Sequence, residues 1–196
     1  MEQIRCFIAI ELPPEIKEAL VSLEDKLKAG QYPFVKWVDP EGIHLTLKFL
    51  GSVDSRLIPR ITEAIERIAQ GSSPFSLHLG GLGTFPGWQR PQVVWVGMGG
   101  EVERLAILQK GIEPALTPLG FPPEGRDFTP HLTLARLRER VSPKEKQGFG
   151  EWVRAAKFET RLNFEVSEIC LMRSQLTPQG AIYSRLASVK LGRVKI

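Results

Sequence analysis

Histidine is scarce in this 196-residue chain, and two of its three copies open the same tetrapeptide: His44-Leu45-Thr46-Leu47 and His131-Leu132-Thr133-Leu134. Imidazole holds or releases a proton near neutral pH, so a pair of them can divide a proton transfer, one taking a proton while the other gives one. In an extended strand each histidine shares a face with the threonine two places on, while the leucines face the other way into a core. A threonine hydroxyl both donates and accepts, and is suited to the non-bridging oxygens of a phosphate passing through a pentacoordinate state. Acid and base on opposite sides, with hydroxyls on the equatorial oxygens, is the arrangement that in-line displacement at phosphorus requires. Acyl transfer fits less well, because the chain has no Gly-x-Ser-x-Gly nucleophile elbow.

Cations for a phosphate follow each motif. Lys48 shares the strand parity of His44, and Arg136 and Arg138 come after His131. Arg136 stands an odd five residues after its histidine, so a regular strand would send it to the leucine face. A bulge or strand end must intervene if it is to reach the site. No third His, Cys, Asp or Glu is spaced near either motif as a zinc site would need, so catalysis without metal or cofactor is expected. A Walker-type Gly-Lys-Ser/Thr is absent, and Gly81-Leu82-Gly83 meets Pro86 where a dinucleotide fingerprint needs its third glycine. His78, alone in Leu77-His78-Leu79 with no threonine two places on, reads as an ordinary strand residue.

These motifs need elements to hold them. Residues 5–12 are rich in aliphatics and read as a buried strand, and Pro13-Pro14 then opens a helix whose apolar positions (Ile16, Ala19, Leu20, Leu23, Leu27) recur at helical spacing as far as Gly30. Residues 43–50 alternate as a strand, residues 57–71 read as a second helix, and residues 75–82 as another strand. The second half repeats that order: a strand over 92–98, a helix over 101–116, the second motif strand, and a helix from Ser142 to about Ala156 with the Ser142/Glu145 signature of a capping box. Two alternating runs, 158–172 and 181–190, close the chain around a turn at Gly180. The glycine-rich stretch 80–91 is the expected crossing between halves, and 120–130 a loop into the second motif. Both halves read strand, helix, motif strand, helix, strand, which describes a duplicated unit bringing two equivalent motifs to one cleft.

Composition bounds the rest. At 42% hydrophobic and 24% charged residues the chain is an ordinary globular one, expected to be a single domain of two lobes, 1–85 and 86–196, with the C-terminal strands free to cross between them. The first apolar run ends at Glu11, too short for a membrane span and without a signal-peptide cleavage site, so a cytoplasmic monomer with no membrane partner is expected. Cys6 and Cys170 lie in apolar runs and read as buried free thiols. A net charge of +4 is compatible with a phosphate-bearing partner.

The two His-x-Thr-x motifs, the opening Arg5-Cys6-Phe7-Ile8-Ala9-Ile10, Trp37 ahead of His44-Leu45-Thr46-Leu47-Lys48-Phe49-Leu50-Gly51, the run His131-Leu132-Thr133-Leu134-Ala135-Arg136, and the closing Ser174-x-Leu176 and Gly180-x-x-Tyr183 together resemble the 2H phosphoesterase superfamily. More narrowly, the chain is similar over nearly its whole length to the RNA 2′,3′-cyclic phosphodiesterases, also called 2′-5′ RNA ligases. The resemblance implies an α+β fold: two lobes, each an antiparallel sheet with helices outside, duplicated βαβαβ halves about a pseudo-two-fold axis, and a central cleft. It implies metal-independent hydrolysis of 2′,3′-cyclic phosphate ends of RNA or nucleotides to 2′-phosphomonoesters. His44 would be the proton donor and His131 the proton acceptor, with Thr46, Thr133 and Arg136 on the phosphate. Phe7, Trp37 and Lys48 are candidates for further substrate contacts, the aromatics by stacking on a terminal base. Reversible 2′-5′ ligation of RNA ends, and RNA binding without turnover, are the alternatives.

Overall fold

The computed structural model describes residues 2–158, 160, 162–178 and 180–192. Nine strands and four helices run through them: β1 (Gln3–Glu11), α1 (Pro14–Lys28), β2 (Val35–Trp37), β3 (His44–Asp54), α2 (Ile58–Gln70), β4 (Phe75–Phe85), β5 (Val93–Gly100), α3 (Val102–Leu116), β6 (His131–Leu137), α4 (Pro143–Ala155), β7 (Asn163–Val166), β8 (Glu168–Thr177) and β9 (Gly180–Lys190). Local chemistry sets the helix ends as expected: proline opens α1 and α2, and the Ser142 hydroxyl accepts from Glu145 N while the Glu145 carboxylate accepts from Ser142 N at the start of α4.

Two antiparallel sheets result, one of four strands in the order β3-β1-β8-β9 and one of five in the order β2-β6-β5-β4-β7. Helices α2 and α3 pack behind the four-stranded sheet; α4 packs behind β4 of the other, joined to α1 by a hydrogen bond from Trp152 Nε1 to Leu27 O of 3.1 Å. The motif strands β3 and β6 lie against each other where the sheets meet. A single hydrophobic core takes residues from both sheets and all four helices, and a small second cluster of Phe7, Ala9, Cys170 and Met172, with Tyr183 against it, lies apart from that core.

The sheets do not divide the chain at 85/86. β4 belongs to the five-stranded sheet with β5 and β6, and β8 and β9 return to the four-stranded sheet of β1 and β3, so each half completes the other's sheet. The chain passes between the sheets on either side of β2 and again at residues 71–74; residues 80–85 are still β4, and 86–92 close a hairpin within one sheet. The run expected over 158–172 is not one strand, because pairing starts at Asn163 and switches sheets at Ser167; residues 159 and 161 of it lie outside the described residues. Cys6 and Cys170 are buried free thiols.

The register of the motif strands decides which side chains reach the junction. Ile8 pairs with Lys48 and Ala9 with Thr46, so Leu47 has no partner on β1; Val94 pairs with Ala135 and Trp95 with Thr133, so Leu134 has none on β5. Each copy of the tetrapeptide thus ends on a β-bulge, and two successive residues turn to the core: Leu47 with Lys48, and Leu134 with Ala135. The residue after that is returned to the histidine face. Lys48 consequently lies on the core side, 2% exposed, with Nζ 2.5 Å from Glu113 Oε2 of α3 and 3.0 Å from Pro122 O. It binds β3 to α3 and to the loop before β6, and removing one partner of a buried pair strands the other. Lys48→Met is expected to lower the unfolding free energy by about 3 kcal/mol, read from urea denaturation.

Candidate active site

A cleft of about 490 Å³ opens at the junction of the sheets, and His44, Thr46, His131, Thr133 and Arg136 all line it. Each histidine is the first residue of its strand and each is held in the same way. His44 Nδ1 lies 2.8 Å from Gly42 O, and His131 Nδ1 lies 2.7 Å from Thr129 O. A carbonyl only accepts, so Nδ1 carries the hydrogen in both rings and Nε2 is the nitrogen left for chemistry. The two acceptors are placed by local structure: Gly42 ends a 3₁₀ turn (Pro40–Gly42) capped by Asp39, whose carboxylate accepts from Glu41 N, and Thr129 precedes Pro130, which favours extended backbone.

The surroundings of the two rings differ. His44 stacks on Phe7, with ring centroids 4.5 Å apart and planes 26° from parallel, and meets the Tyr183 ring edge-on at 4.9 Å. Phe85 stands edge-on to His131 at 5.0 Å and Trp95 is tilted at 6.1 Å. Glycine at 83 is needed here, because a Cβ on it would fall 2.2 Å from the Trp95 ring. Burial pushes the proton affinity of His44 below the ordinary imidazole value of 6.5; the Gly42 hydrogen bond and the negative charge of Glu11 oppose that push without cancelling it.

Arg136 reaches the cleft because of the bulge at Leu134, which resolves its odd offset. Lys36 and Arg5 line the same cleft, Lys36 paired with Arg136 across β2 and β6; among the described residues no carboxylate lines it. Such a concave, cation-lined surface attracts phosphate, and the pair of Nε2 atoms supplies one group to accept a proton and one to donate it. Among the described residues no group of three or more His, Cys, Asp and Glu side chains is placed to hold a metal ion, and no helix is long and apolar enough to cross a membrane.

The 2′-5′ RNA ligase superfamily model matches residues 12–178. The chain belongs to that superfamily. An "RNA 2′,3′-cyclic phosphodiesterase" of Methanothermobacter thermautotrophicus is 32% identical over 189 residues, spanning 96% of this chain and all of the relative. Another of the same name from Aeropyrum pernix is 37% identical, covering 87% of this chain and 94% of its own. Among solved structures, a Thermus thermophilus protein superposes with a TM-score of 0.80 at 29% identity, covering 96% of this chain and 98% of its own. Escherichia coli LigT complexed with 3′-AMP gives 0.76 at 27% identity, covering 98% of this chain and 100% of its own. The α+β fold of two antiparallel sheets is the one these superfamily structures share.

Within this superfamily fold, three expected substrate contacts are corrected. Lys48 faces the core and Glu113, since the bulge reverses its parity. Trp37 is packed against the core with Lys28 Nζ 5.6 Å from its ring centroid; its neighbours Lys36 and Val38 take the cleft side. Phe7 does line the cleft, but at 2% exposure beneath His44 it supports the imidazole and offers no face to a base. Arg138 is not among the cleft residues, and His78 sits in β4 opposite Gly99. Conversely Phe49, Lys36, Arg5 and Tyr183 line the cleft without having been singled out for it. Phe49, 61% exposed, is the counterpart of Arg136, five residues after its histidine; applying to the first motif the bulge required by the second would have found it.

His44 also ties stability to pH. Its proton affinity is lower folded than unfolded, so between the native value and 6.5 the unfolded chain binds more protons and stability rises with pH. The urea midpoint is therefore expected to rise as pH is raised towards 6.5, and His44→Asn to remove that increment.

Proposed function

We propose that the chain hydrolyses 2′,3′-cyclic phosphate ends of RNA to 2′-phosphomonoesters, with the two histidines as acid and base and no metal in the step. One observation carries the reading: two imidazoles, each with Nδ1–H held by a backbone carbonyl two residues earlier, open from equivalent strands onto one cleft that also holds both threonines and Arg136. The names of the relatives support the choice of substrate.

In this mechanism His131 Nε2 takes a proton from water as its oxygen bonds to phosphorus in line with the P–O3′ bond. That bond breaks, and His44 Nε2–H gives its proton to the departing O3′. The product is a 2′-phosphate beside a free 3′-hydroxyl, and the proton lost by His44 is balanced by the one gained by His131. Thr46 and Thr133 donate hydrogen bonds to the non-bridging oxygens, and Arg136 offsets the charge that grows on them. Burial of His44 makes its imidazolium the readier donor. With the 5′-hydroxyl of a second RNA end in place of water, the same groups would join the two ends through a 2′-5′ bond.

His44→Ala and His131→Ala are each expected to lower kcat/KM on a cyclic-phosphate-ended oligonucleotide by about 10²- to 10⁴-fold, the usual contribution of a general acid or base. The product should be the 2′-phosphate, and the rate should survive EDTA. Because the donor must be protonated, kcat/KM should fall with rising pH along a limb lying below 6.5. Parent-like rates in both folded alanine variants would remove the reading.

A further inference from the structure

The two histidines are equivalent in motif, strand position and Nδ1 partner, so none of these features tells acid from base. The strand opposite each one does. Across β1 and β3 the residue paired with His44 is Glu11; across β5 and β6 the residue paired with His131 is Gly97. Residues directly opposite in an antiparallel pair project to the same face with Cβ atoms about 5 Å apart, close enough for a carboxylate to favour an imidazolium. Space does not explain the glycine: a Cβ at Gly97 would meet only the Trp95 ring at 3.4 Å and Gly81 O at 3.5 Å, both ordinary contacts.

Glu11 is itself held in place. Its Oε2 is ion-paired to Arg185 of β9 and receives the Cys170 thiol of β8 at 3.4 Å, and burial together with Glu11 pushes that thiol up to about 12, so it remains a donor. Arg185 also lies 3.6 Å from Glu168, whose Oε2 accepts from the Ser188 hydroxyl at 2.7 Å. The remaining charged groups around His44 are accounted for. Asp39 and Glu41 on the preceding turn are engaged by Glu41 N and by Lys17 Nζ, the latter at 2.9 Å. From β9 comes the Tyr183 ring, and elsewhere in the cleft stand Arg5, Lys36, Arg136 and His131. Among the described residues Glu11 is thus the one carboxylate paired in register with His44.

We propose that Glu11 is a positioning residue that holds the proton on His44, and that the carboxylate opposite one histidine and the glycine opposite the other set which acts as acid. The inference rests on the reading of His44 and His131 as an acid and base pair. Arg185 acts in the opposite sense, screening part of the Glu11 charge and fixing its carboxylate over Cys170. Burial lowers the proton affinity of His44; the carboxylate paired with it across β1 and β3 opposes that push, and an anionic phosphate in the cleft adds to the opposition on binding.

The chain has only three histidines, so their imidazole protons can be titrated individually by NMR in the absence of substrate. Glu11→Gln should move the His44 midpoint down by about half a pH unit, and Arg185→Gln should move it up by a similar amount, because both groups are partly exposed and their charges screened. His131 and His78 should stay in place, and the alkaline limb of kcat/KM should follow His44. A loss of packing cannot give shifts of opposite sign. Any other combination, with His44 unmoved or moving the same way in both variants, overturns the inference. Its failure is separable from that of the proposed reaction, since the titration needs no turnover and the reaction is tested by the histidine variants.

Discussion

Leu47 in β3 and Leu134 in β6 have no counterpart on the strands beside them, and the orientation of every residue beyond them depends on that extra position. Strict alternation would turn Lys48 towards the cleft and drive the Arg136 guanidinium into the core, where an unpartnered charge is strongly unfavourable. The bulge reverses both. Lys48 meets Glu113 behind the sheet, and Arg136 joins the two threonines in the cleft. Both copies carry the same irregularity at the same residue, so it belongs to the duplicated unit; what distinguishes the copies is which side chains occupy the redirected positions, Lys48 and Phe49 in one, Ala135 and Arg136 in the other.

Rigidity of the cleft comes from how the halves interlock. Because β4 completes the sheet of the second motif and β8 with β9 completes that of the first, neither sheet can form from its own half, and one core runs behind both. The motif strands are thereby held against each other by packing on both sides, with the histidines at their first residues and each imidazole tied to main chain. Such pre-placement matters for the proposed reaction, whose acid and base must stand on opposite sides of one phosphorus atom.

The small cluster of Phe7, Ala9, Cys170, Met172 and Tyr183 gives the four-stranded sheet a character of its own. Phe7 and Tyr183 pack on His44, and Cys170 meets Glu11 of the Glu11–Arg185 pair; the five-stranded sheet has Phe85 and Trp95 beside His131 and Gly97 opposite it. A pseudo-symmetric scaffold is in this way given unlike electrostatics on its two sides, as the proposed division of labour between the histidines requires.

Much was legible from residue types alone. The two His-x-Thr-x strands, their leucine anchors, the order of elements apart from β2 and the split of β7 from β8, the capped helices and the buried thiols follow from periodicity, turn chemistry and scarcity, all of which act over a few neighbouring residues. The destinations of Lys48, Trp37 and Phe49 did not, nor did the exchange of β4 and β8 between sheets. Parity is a local rule that a single bulge inverts, and a three-residue strand such as β2 is too short to display any parity, so Lys36 and Trp37 could not be told apart. Which strand lies beside which is settled by long-range pairing and by the shared core. The sequence by itself therefore determined that two imidazoles and two hydroxyls stand on matching faces of two equivalent strands. Only the tertiary structure decided which charges reach the cleft and that Glu11 stands opposite one histidine and Gly97 opposite the other, because register is a property of two strands and not of either one alone.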